Sequence, residues 1–233
     1  MEGPNLIRPF RPLSSTARTT LGRLRERGSS DRTSLHKVLD AGLICHIGVV
    51  IDGTPVVLPT AYGRIGETLY LHGSSANRSL LAAAGTEICV AVTLLDGLVC
   101  ARSVFHNSMN YRSAVIYGTA RLVTEEAERV EALRAITEHL IPGRWDNSRR
   151  PTNKELAATA ILALPLEEAS VKARSGWPKD DDQDYGLGYW AGLLPISMSV
   201  GPAEPDPLLR EGIGVPAHIT ELQTHPGRAG NQR

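Results

Sequence analysis

One stretch of the sequence, Leu69–Leu81 (LYLHGSSANRSLL), combines residue types that could bind a phosphate group. It predicts the end of an apolar strand, a turn of small residues and the first turn of a helix. A helix start offers unpaired backbone N–H groups and the positive end of a dipole, and both favour an anion. Ser74, Ser75, Asn77 and Arg78 would add side-chain donors at the same place. Serines before a helix are also common N-caps, so this stretch alone leaves both interpretations open.

Three further residues that could do chemistry also have two interpretations each. His72 ends an apolar strand, where it could either hydrogen-bond to backbone or act as a proton donor beside a bound ligand. Lys172 and Arg174 alternate with apolar residues, so both lie on one face of a predicted strand. That face could be turned to solvent or could line a binding pocket. The sequence pattern does not separate these alternatives.

Composition limits the class of protein in which these residues act. The 233 residues fit one large domain or two small ones, and 42% of them are hydrophobic. With 25 basic and 25 acidic residues, the chain gives no electrostatic reason to expect nucleic acid or a membrane as partner. No secretory signal or bilayer-spanning run is present in the sequence. We therefore expect a cytoplasmic protein.

The cysteines and acidic residues do not indicate a metal site. Cys45, Cys89 and Cys100 lie within apolar runs without the spacing of metal ligands, which is typical of reduced, buried thiols. The acidic run KDDDQD has no partner motif around it and predicts a solvated loop. No metal is expected.

The sequence predicts three regions. Residues 1–30 form a basic N-terminal arm, and between Arg8 and Lys37 there are eight basic residues against two acids. Such an arm could be a solvated extension, or it could lie across a partner subunit or near an anionic ligand. Residues 31–198 form the main domain. Residues 199–233 are rich in proline and glycine and predict a flexible tail.

The main domain predicts six or seven strands in meander order with helices between them. Asp52–Gly53 and Asp96–Gly97 each indicate the tight turn of a hairpin, and Gly118 indicates a bulge or a kink within a long strand. Residues 31–41 and 124–141 predict amphipathic helices. This order favours a closed or nearly closed antiparallel barrel. Neither a G-x-G-x-x-G nor a P-loop motif is present, which argues against dinucleotide and nucleoside triphosphate folds.

Several stretches, in this order, resemble one known family. They are LICHIGVVIDGTPVVLPTAYGR, LYLHGSSANRSLL, CVAVTLLDGLVCARSVFHNSMNYRSAVIYGTARLV, PGRW, EEASVKARSG and WAGLLPI. The chain is similar over roughly Arg18 to Ile196 to the pyridoxamine 5′-phosphate oxidase-like flavoproteins. Within them it is most similar to the branch that contains the nitroimidazole-resistance reductases.

The resemblance implies a mainly β protein with helices, an antiparallel FMN-binding split β-barrel that forms a homodimer with FMN at the interface. It implies that one strand runs beside the flavin ring, that the stretch at the helix start holds the phosphate, and that a following strand enters the site. It also implies that the C-terminal segment closes the pocket from the other subunit. The cofactor-binding residues expected on this basis are Pro59, Thr60, Ala61, His72, Ser74, Ser75, Asn77, Arg78, Asn110, Tyr111, Arg112, Ser113, Lys172, Arg174 and Trp190. The expected catalytic residues are His72 and Arg112.

Arg112 has a specific expected role beside the flavin. If it faces the ring it would stabilise the negative charge of the reduced flavin, whereas a structural arginine at this position would pair with an acid.

One departure from the family bears on the substrate. True pyridoxamine phosphate oxidases carry an Arg-Lys pair in the phosphate loop, but here Arg78 is followed by Ser79, so vitamin B6 phosphate is not expected as the substrate.

The function implied is that of an FMN-dependent oxidoreductase acting on an unidentified small molecule. It would take hydride from a reduced nicotinamide or an organic substrate and pass electrons to oxygen or to a small acceptor such as a nitroaromatic compound. One alternative is a flavin-binding carrier or sensor without turnover. Another is that the barrel binds haem or a deazaflavin instead.

Overall fold

The strands of the chain form one antiparallel sheet that curls into a split barrel, as the sequence predicted. The computed structural model describes residues 12, 13 and 15–224. The parts of the predicted arm at residues 1–11 and 14, and the part of the predicted tail at 225–233, lie outside the described residues. No helix among the described residues is long and apolar enough to cross a membrane.

The helices and strands occur in the following order within the described part of the chain. The helices are α1 (Arg32–Ala41), α2 (Arg78–Ala83), α3 (Glu126–Leu140), α4 (Asn153–Ala157) and α5 (Ala217–Thr224). The strands are β1 (Gly28–Ser29), β2 (Ile44–Ile51), β3 (Thr54–Ile65), β4 (Thr68–Ser74), β5 (Glu87–Cys100), β6 (Ser108–Thr119), β7 (Arg121–Leu122), β8 (Thr159–Pro165), β9 (Glu168–Arg174) and β10 (Gly192–Pro195). In the sheet the strand order is β1-β9-β6-β5-β2-β3-β4-β8-β7, and β10 pairs with β5.

Local sequence signals account for the first half of the barrel. Asp31 caps α1, because its carboxylate accepts hydrogen bonds from the N–H groups of Thr33 and Ser34 at 3.0 and 3.2 Å. Asp52 and Gly53 have φ values of 49° and 77°, as a tight primed turn requires, and they join β2 to β3. The predicted first helix and first hairpin are therefore confirmed.

The predicted second hairpin at Asp96–Gly97 is wrong. β5 continues through these residues to Cys100, and only its register against β6 shifts, between Leu95 and Gly97. The glycine is needed for a different reason, because a Cβ on Gly97 would be 2.9 Å from the carbonyl oxygen of Leu194 in β10. A close approach of two strands, rather than a turn, accounts for the glycine at this position.

Two further differences lie in the second half of the chain. Of the bulge or kink predicted at Gly118, the bulge is absent, since Gly118 pairs with Ile88 in regular register. Its lack of a side chain instead leaves room for Leu164, whose Cδ1 would be 3.1 Å from a Cβ at this position. Beyond β10, residues 197–216 are exposed, and α5 follows in the tail, where the sequence pattern predicted no helix.

Alternate residues of the strands fill the barrel. Ile47, Val90 and Ile116 lie in one row across β2, β5 and β6, and all three are buried. Leu35 and Leu39 of α1 are fully buried in the same core. Burial of each such side chain contributes about 1.5–3 kcal/mol. The row fixes which face of each strand is internal, and hence which residues are left on the outer face to form a site.

A second layer covers the outside of β3, β4 and β8. Ala132 and Ile136 of α3 form a small core with Tyr70 of β4 and Ile161 of β8. The helix comes so close to β3 that a Cβ on Gly63 would be 2.5 Å from the backbone nitrogen of Ile136. This layer holds β4 and β8 together on the side of the barrel where β3 changes its partner.

Candidate flavin-binding site

The barrel is split where β3 passes from one neighbouring strand to another. Residues 54–61 of β3 pair with β2, whereas residues 62–65 pair with β4. The ladder to β4 ends at the pair Tyr62–Leu71, and the rest of β4, from His72 to Ser74, stays paired with β8. Among the described residues no strand pairs with the edge of residues 54–61 that faces away from β2. The outward backbone groups of Pro59–Ala61 are therefore available to a ligand.

The turn from β4 into α2 contains the predicted phosphate-binding residues. Asn77 Oδ1 accepts a hydrogen bond from Leu80 N at 3.1 Å, and Ser74 Oγ accepts one from Ala76 N at 3.2 Å. These two side chains therefore act as local caps, which is the structural alternative considered for them. Their capping shapes the turn and still leaves the Asn77 amide nitrogen and the Ser74 hydroxyl hydrogen as donors.

The remaining donors of this turn are unoccupied. Arg78 is exposed and forms no ion pair or hydrogen bond with any described side chain, and Ser75 is exposed beside it. The backbone N–H groups of Arg78 and Ser79 also have no acceptor in the described part of the chain. Because α2 has only six residues, its dipole is small, so an anion here would be held mainly by these N–H groups and the guanidinium.

His72 lies at the end of β4 beside this turn. Its Nδ1 is buried and has no hydrogen-bond partner among the described residues. By register its side chain is on the same face as those of Ile161 and Tyr70, outside the main barrel core. Burial lowers the pKa of His72, so the imidazole is neutral at neutral pH and has an unused ring nitrogen. Such a nitrogen can donate to a ligand or coordinate a metal centre.

A second group of predicted residues lies on the outer face of β6 and β9. Tyr111 is opposite Arg174, and Ser113 is opposite Lys172. Arg174 donates to Asn110 Oδ1 and to the carbonyl oxygens of Gly176 and Trp177. In the sheet order β9 is five positions from β4, so the strands that carry this group do not pair with the strand that leads into the turn at Arg78. The sequence alone did not predict this separation.

The structure gives Arg112 a carboxylate partner. Its side chain is on the internal side of β6, opposite Leu94, and its guanidinium donates to both oxygens of Asp96 at 2.9 and 2.7 Å. These hydrogen bonds raise the pKa of Arg112. Much of its charge is thereby compensated, as in the structural alternative considered for this residue. Its expected catalytic role stays a prediction.

Thr60 and Trp190 differ in position from the other predicted residues. Thr60 is opposite the buried Cys45, so its side chain is on the internal side of β3 and only its backbone reaches the outer edge. Trp190 is 66% exposed and its ring lies against Gly192, outside both groups. The structure thus brings together Pro59, Ala61, His72, Ser74, Ser75, Asn77 and Arg78 at the split in the barrel.

Two charged residues were missed by the sequence interpretation. Asp96 was assigned to a turn, so its pairing with Arg112 was not expected. Arg27 belongs to the basic arm, and β1 pairs with β9 through Gly28 opposite Lys172, which brings Arg27 to the end of β9. The excess of basic residues in the arm was the available signal, but it does not distinguish Arg27 from its neighbours.

Comparison with known proteins gives close matches over most of the chain. The family model described as pyridoxamine 5′-phosphate oxidase matches residues 31–173. The flavocytochrome Anf3 from Azotobacter vinelandii is 40% identical with a TM-score of 0.85, and the match covers 90% of this chain and 98% of that one. The FAD and heme binding protein from Mycobacterium smegmatis is 38% identical with a TM-score of 0.81, covering 84% and 97%.

A more distant match has the same fold. A protein from Bacteroides thetaiotaomicron described as a 5-nitroimidazole antibiotic resistance protein is 19% identical with a TM-score of 0.54, and the match covers 62% of this chain and 85% of that one. No curated protein matches the chain by sequence. The matches therefore agree on the split-barrel fold, and the two with high identity extend over nearly the whole chain.

Proposed function

Because the chain belongs to the pyridoxamine 5′-phosphate oxidase family, a flavin-binding family with the split-barrel fold, we propose that it is a flavin-dependent oxidoreductase acting on a small molecule. The observation that carries the proposal is the turn at Arg78. It combines a guanidinium and two N–H groups, all without partners in the described residues, at the point where β3 and β4 separate. These are the donors that a flavin phosphate requires.

The residues at the split fit a flavin in three ways. The phosphate would be held by Arg78, the adjacent N–H groups and the hydroxyl of Ser75. The ring system would lie along the unpaired edge of β3 at Pro59–Ala61, where backbone groups can bond to its polar edge. His72 would contact the ring from β4. When bound, a flavin accepts and donates hydride or single electrons. The chain's own part is to orient it and to supply the surrounding charge.

The identity of the flavin is a separate part of the proposal. The family resemblance favours FMN, whereas one relative with 38% identity is an FAD binding protein. The phosphate contacts at Arg78 are common to both cofactors. We therefore propose a flavin nucleotide held by this turn, and the mass of the cofactor released by mild denaturation distinguishes FMN from FAD.

Haem is proposed as a second cofactor because of two observations. Two relatives above 30% identity are named as a flavocytochrome and as an FAD and heme binding protein. In this chain His72 has a neutral imidazole with a buried, unpartnered Nδ1, which is the kind of group that can coordinate haem iron. This fits a flavocytochrome, and His72 would then serve the haem rather than the flavin.

The absorption spectrum of the purified protein tests both cofactors. Flavin absorption in the visible range, together with reduction by a reduced nicotinamide under anaerobic conditions, is the expected result. A Soret band would support haem. Colourless protein that takes up neither FMN nor FAD would contradict the proposal. A yellow protein that no electron donor reduces would support the flavin carrier or sensor instead.

The proposed assembly is a homodimer, in the cytoplasm, with the cofactor at the interface. Large apolar side chains are exposed on one chain, among them Val104 at 88% and Phe105 at 86%. In a dimer the second group, including Tyr111, Lys172 and Arg174, would reach the flavin of the partner. The three cysteines are free, which agrees with a reducing compartment. Small nitroaromatic compounds are among the acceptors to be screened.

A further inference from the structure

The end of β9 gathers three basic side chains from two distant parts of the sequence. Lys172 and Arg174 lie on the outer face of the strand, as do Ser113 and Tyr111 opposite them on β6. Arg27 comes from the N-terminal arm, and it arrives here because Gly28 pairs with Lys172. We call Arg27, Lys172 and Arg174 the β9 cation cluster. All three side chains are half-buried.

The positive charge of the β9 cation cluster is not compensated by acids of the described chain. Arg27 and Lys172 form no side-chain hydrogen bond or ion pair among the described residues. Arg174 donates only to neutral oxygens, those of the Asn110 amide and of two backbone carbonyls. The carboxylate on the same face of β9 is Glu168, and it is already engaged by Arg18 and Thr16.

Arg27 is close enough to Arg174 for their charges to repel each other. Desolvation lowers the pKa of Arg174, and the charge of Arg27 lowers it further. Half-buried like charges without counter-ions disfavour each other, and an oxyanion placed among them would remove that penalty. The Tyr111 hydroxyl, which has no partner among the described residues, adds a neutral donor beside Arg174.

We propose that the β9 cation cluster binds an oxyanion, either the carboxylate or the phosphate of the small-molecule substrate. Arg27 of the N-terminal arm supplies a guanidinium that the barrel strands alone do not provide. This proposal depends on the proposed function in one respect: it takes the ligand to be the substrate of the oxidoreductase. The β9 cation cluster and the turn at Arg78 lie on strands that do not pair with each other. In a dimer the cluster would lie beside the flavin of the partner, where it would bind the substrate anion while the turn at Arg78 holds the flavin phosphate.

Calorimetric titration of the flavin-loaded protein with inorganic pyrophosphate and, separately, with succinate tests this proposal. We expect the wild-type protein to bind at least one of them, and the tighter one identifies the class of oxyanion. Arg27→Gln should weaken that binding about tenfold or more, because it removes a charge-assisted hydrogen-bond donor. Arg27→Lys should restore part of the affinity. Arg23→Gln is the matched control, since Arg23 is an exposed arm arginine without a partner in the described residues.

Two results would overturn the proposal, and both differ from a failure of the proposed function. The first is a yellow wild-type protein that binds neither anion, or binds with an affinity that Arg27→Gln and Arg23→Gln change equally. The second is an Arg27→Gln protein that loses its flavin, which would assign the cluster to the cofactor. Failure of the proposed function would instead give wild-type protein without flavin. The melting temperature of each variant, measured in parallel, verifies that it is folded.

Discussion

Arginines in this chain differ in the acids around them. Arg112 has both oxygens of Asp96 as acceptors, so much of its charge is compensated within the chain. Arg78 has no such partner in the described residues, although both were expected at the cofactor. A guanidinium that is neither paired nor buried costs little to keep free, and it can bind a phosphate in a bidentate manner.

Replacing Arg78 with alanine should weaken flavin binding about tenfold or more, because a charge-assisted hydrogen bond is removed. The free energy of unfolding of the apoprotein should change by less than about 0.5 kcal/mol, since Arg78 is exposed and unpartnered. Fluorescence titration with flavin and denaturant unfolding measure the two effects. Arg134→Ala, another exposed arginine, is the control. Equal losses of binding and stability would argue against a phosphate contact.

His72 should make the protein less stable in mild acid. Burial lowers its pKa in the folded state below the ordinary value, so the unfolded chain binds the proton more tightly. Stability from this residue is present above the unfolded pKa and declines as the pH falls below about 6.5. In His72→Gln, acidification from pH 7 to pH 5 should therefore lower the urea midpoint of the apoprotein less than it does in wild type. An unchanged pH dependence would contradict a buried neutral imidazole.

The elements of the barrel are positioned by contacts that the local sequence does not reveal. β5 runs without a turn through Asp96–Gly97, although this dipeptide is typical of hairpins, because β6 pairs with it on one edge and β10 on the other. Pairing along a long strand outweighs a two-residue turn preference. The same bulged region places Asp96 beside Arg112, so one element explains both differences from the sequence prediction.

Gly97→Ala should lower the free energy of unfolding by about 1–3 kcal/mol, the usual cost of overpacking. The added Cβ would be 2.9 Å from the carbonyl oxygen of Leu194, so β10 must move or detach. Denaturant unfolding measures the stability. Tryptophan fluorescence reports on β10, because Trp190 lies directly before it. Gly188→Ala is the control, since a Cβ there meets nothing within 4 Å. Equal stabilities of the two variants would contradict this explanation.

Several large apolar side chains are exposed on the surface of one chain. Val104, Phe105, Trp177, Tyr189 and Trp190 are each at least 66% exposed, and they lie in segments outside the central strands. Clusters of exposed apolar side chains mark interaction surfaces in soluble proteins. A second copy of the chain is the partner that the family resemblance implies, which supports the proposed homodimer.

Light scattering after gel filtration should give twice the mass of one chain for the wild-type protein. Phe105→Asp should shift the equilibrium to the monomer at micromolar concentration, because it places a charge in the expected interface. Leu122→Asp, an exposed leucine on the two-residue strand β7, is the control and should leave the mass unchanged. If Phe105→Asp remains a dimer, the interface lies elsewhere. Flavin content measured on the same fractions shows whether the cofactor depends on the dimer.

The fold and a candidate phosphate-binding turn could be predicted from the amino-acid sequence alone. Strand alternation, the positive-φ turn at Asp52–Gly53 and the cap at Asp31 are local features, so they could be recognised without the tertiary structure. The stretch around Arg78 was recognised for the same reason, since its donors are consecutive in sequence. These features depend on backbone preferences and hydrogen bonds within a few residues.

The contacts between distant residues become apparent in the tertiary structure. The pairing of β1 with β9 brings Arg27 to Lys172 and Arg174, the bulge in β5 gives Arg112 its carboxylate, and β10 explains Gly97. Each depends on strand register, and register is set by how the whole barrel packs its internal face. No short segment of the sequence contains that information, which is why the separation of the predicted site into two groups could not be predicted.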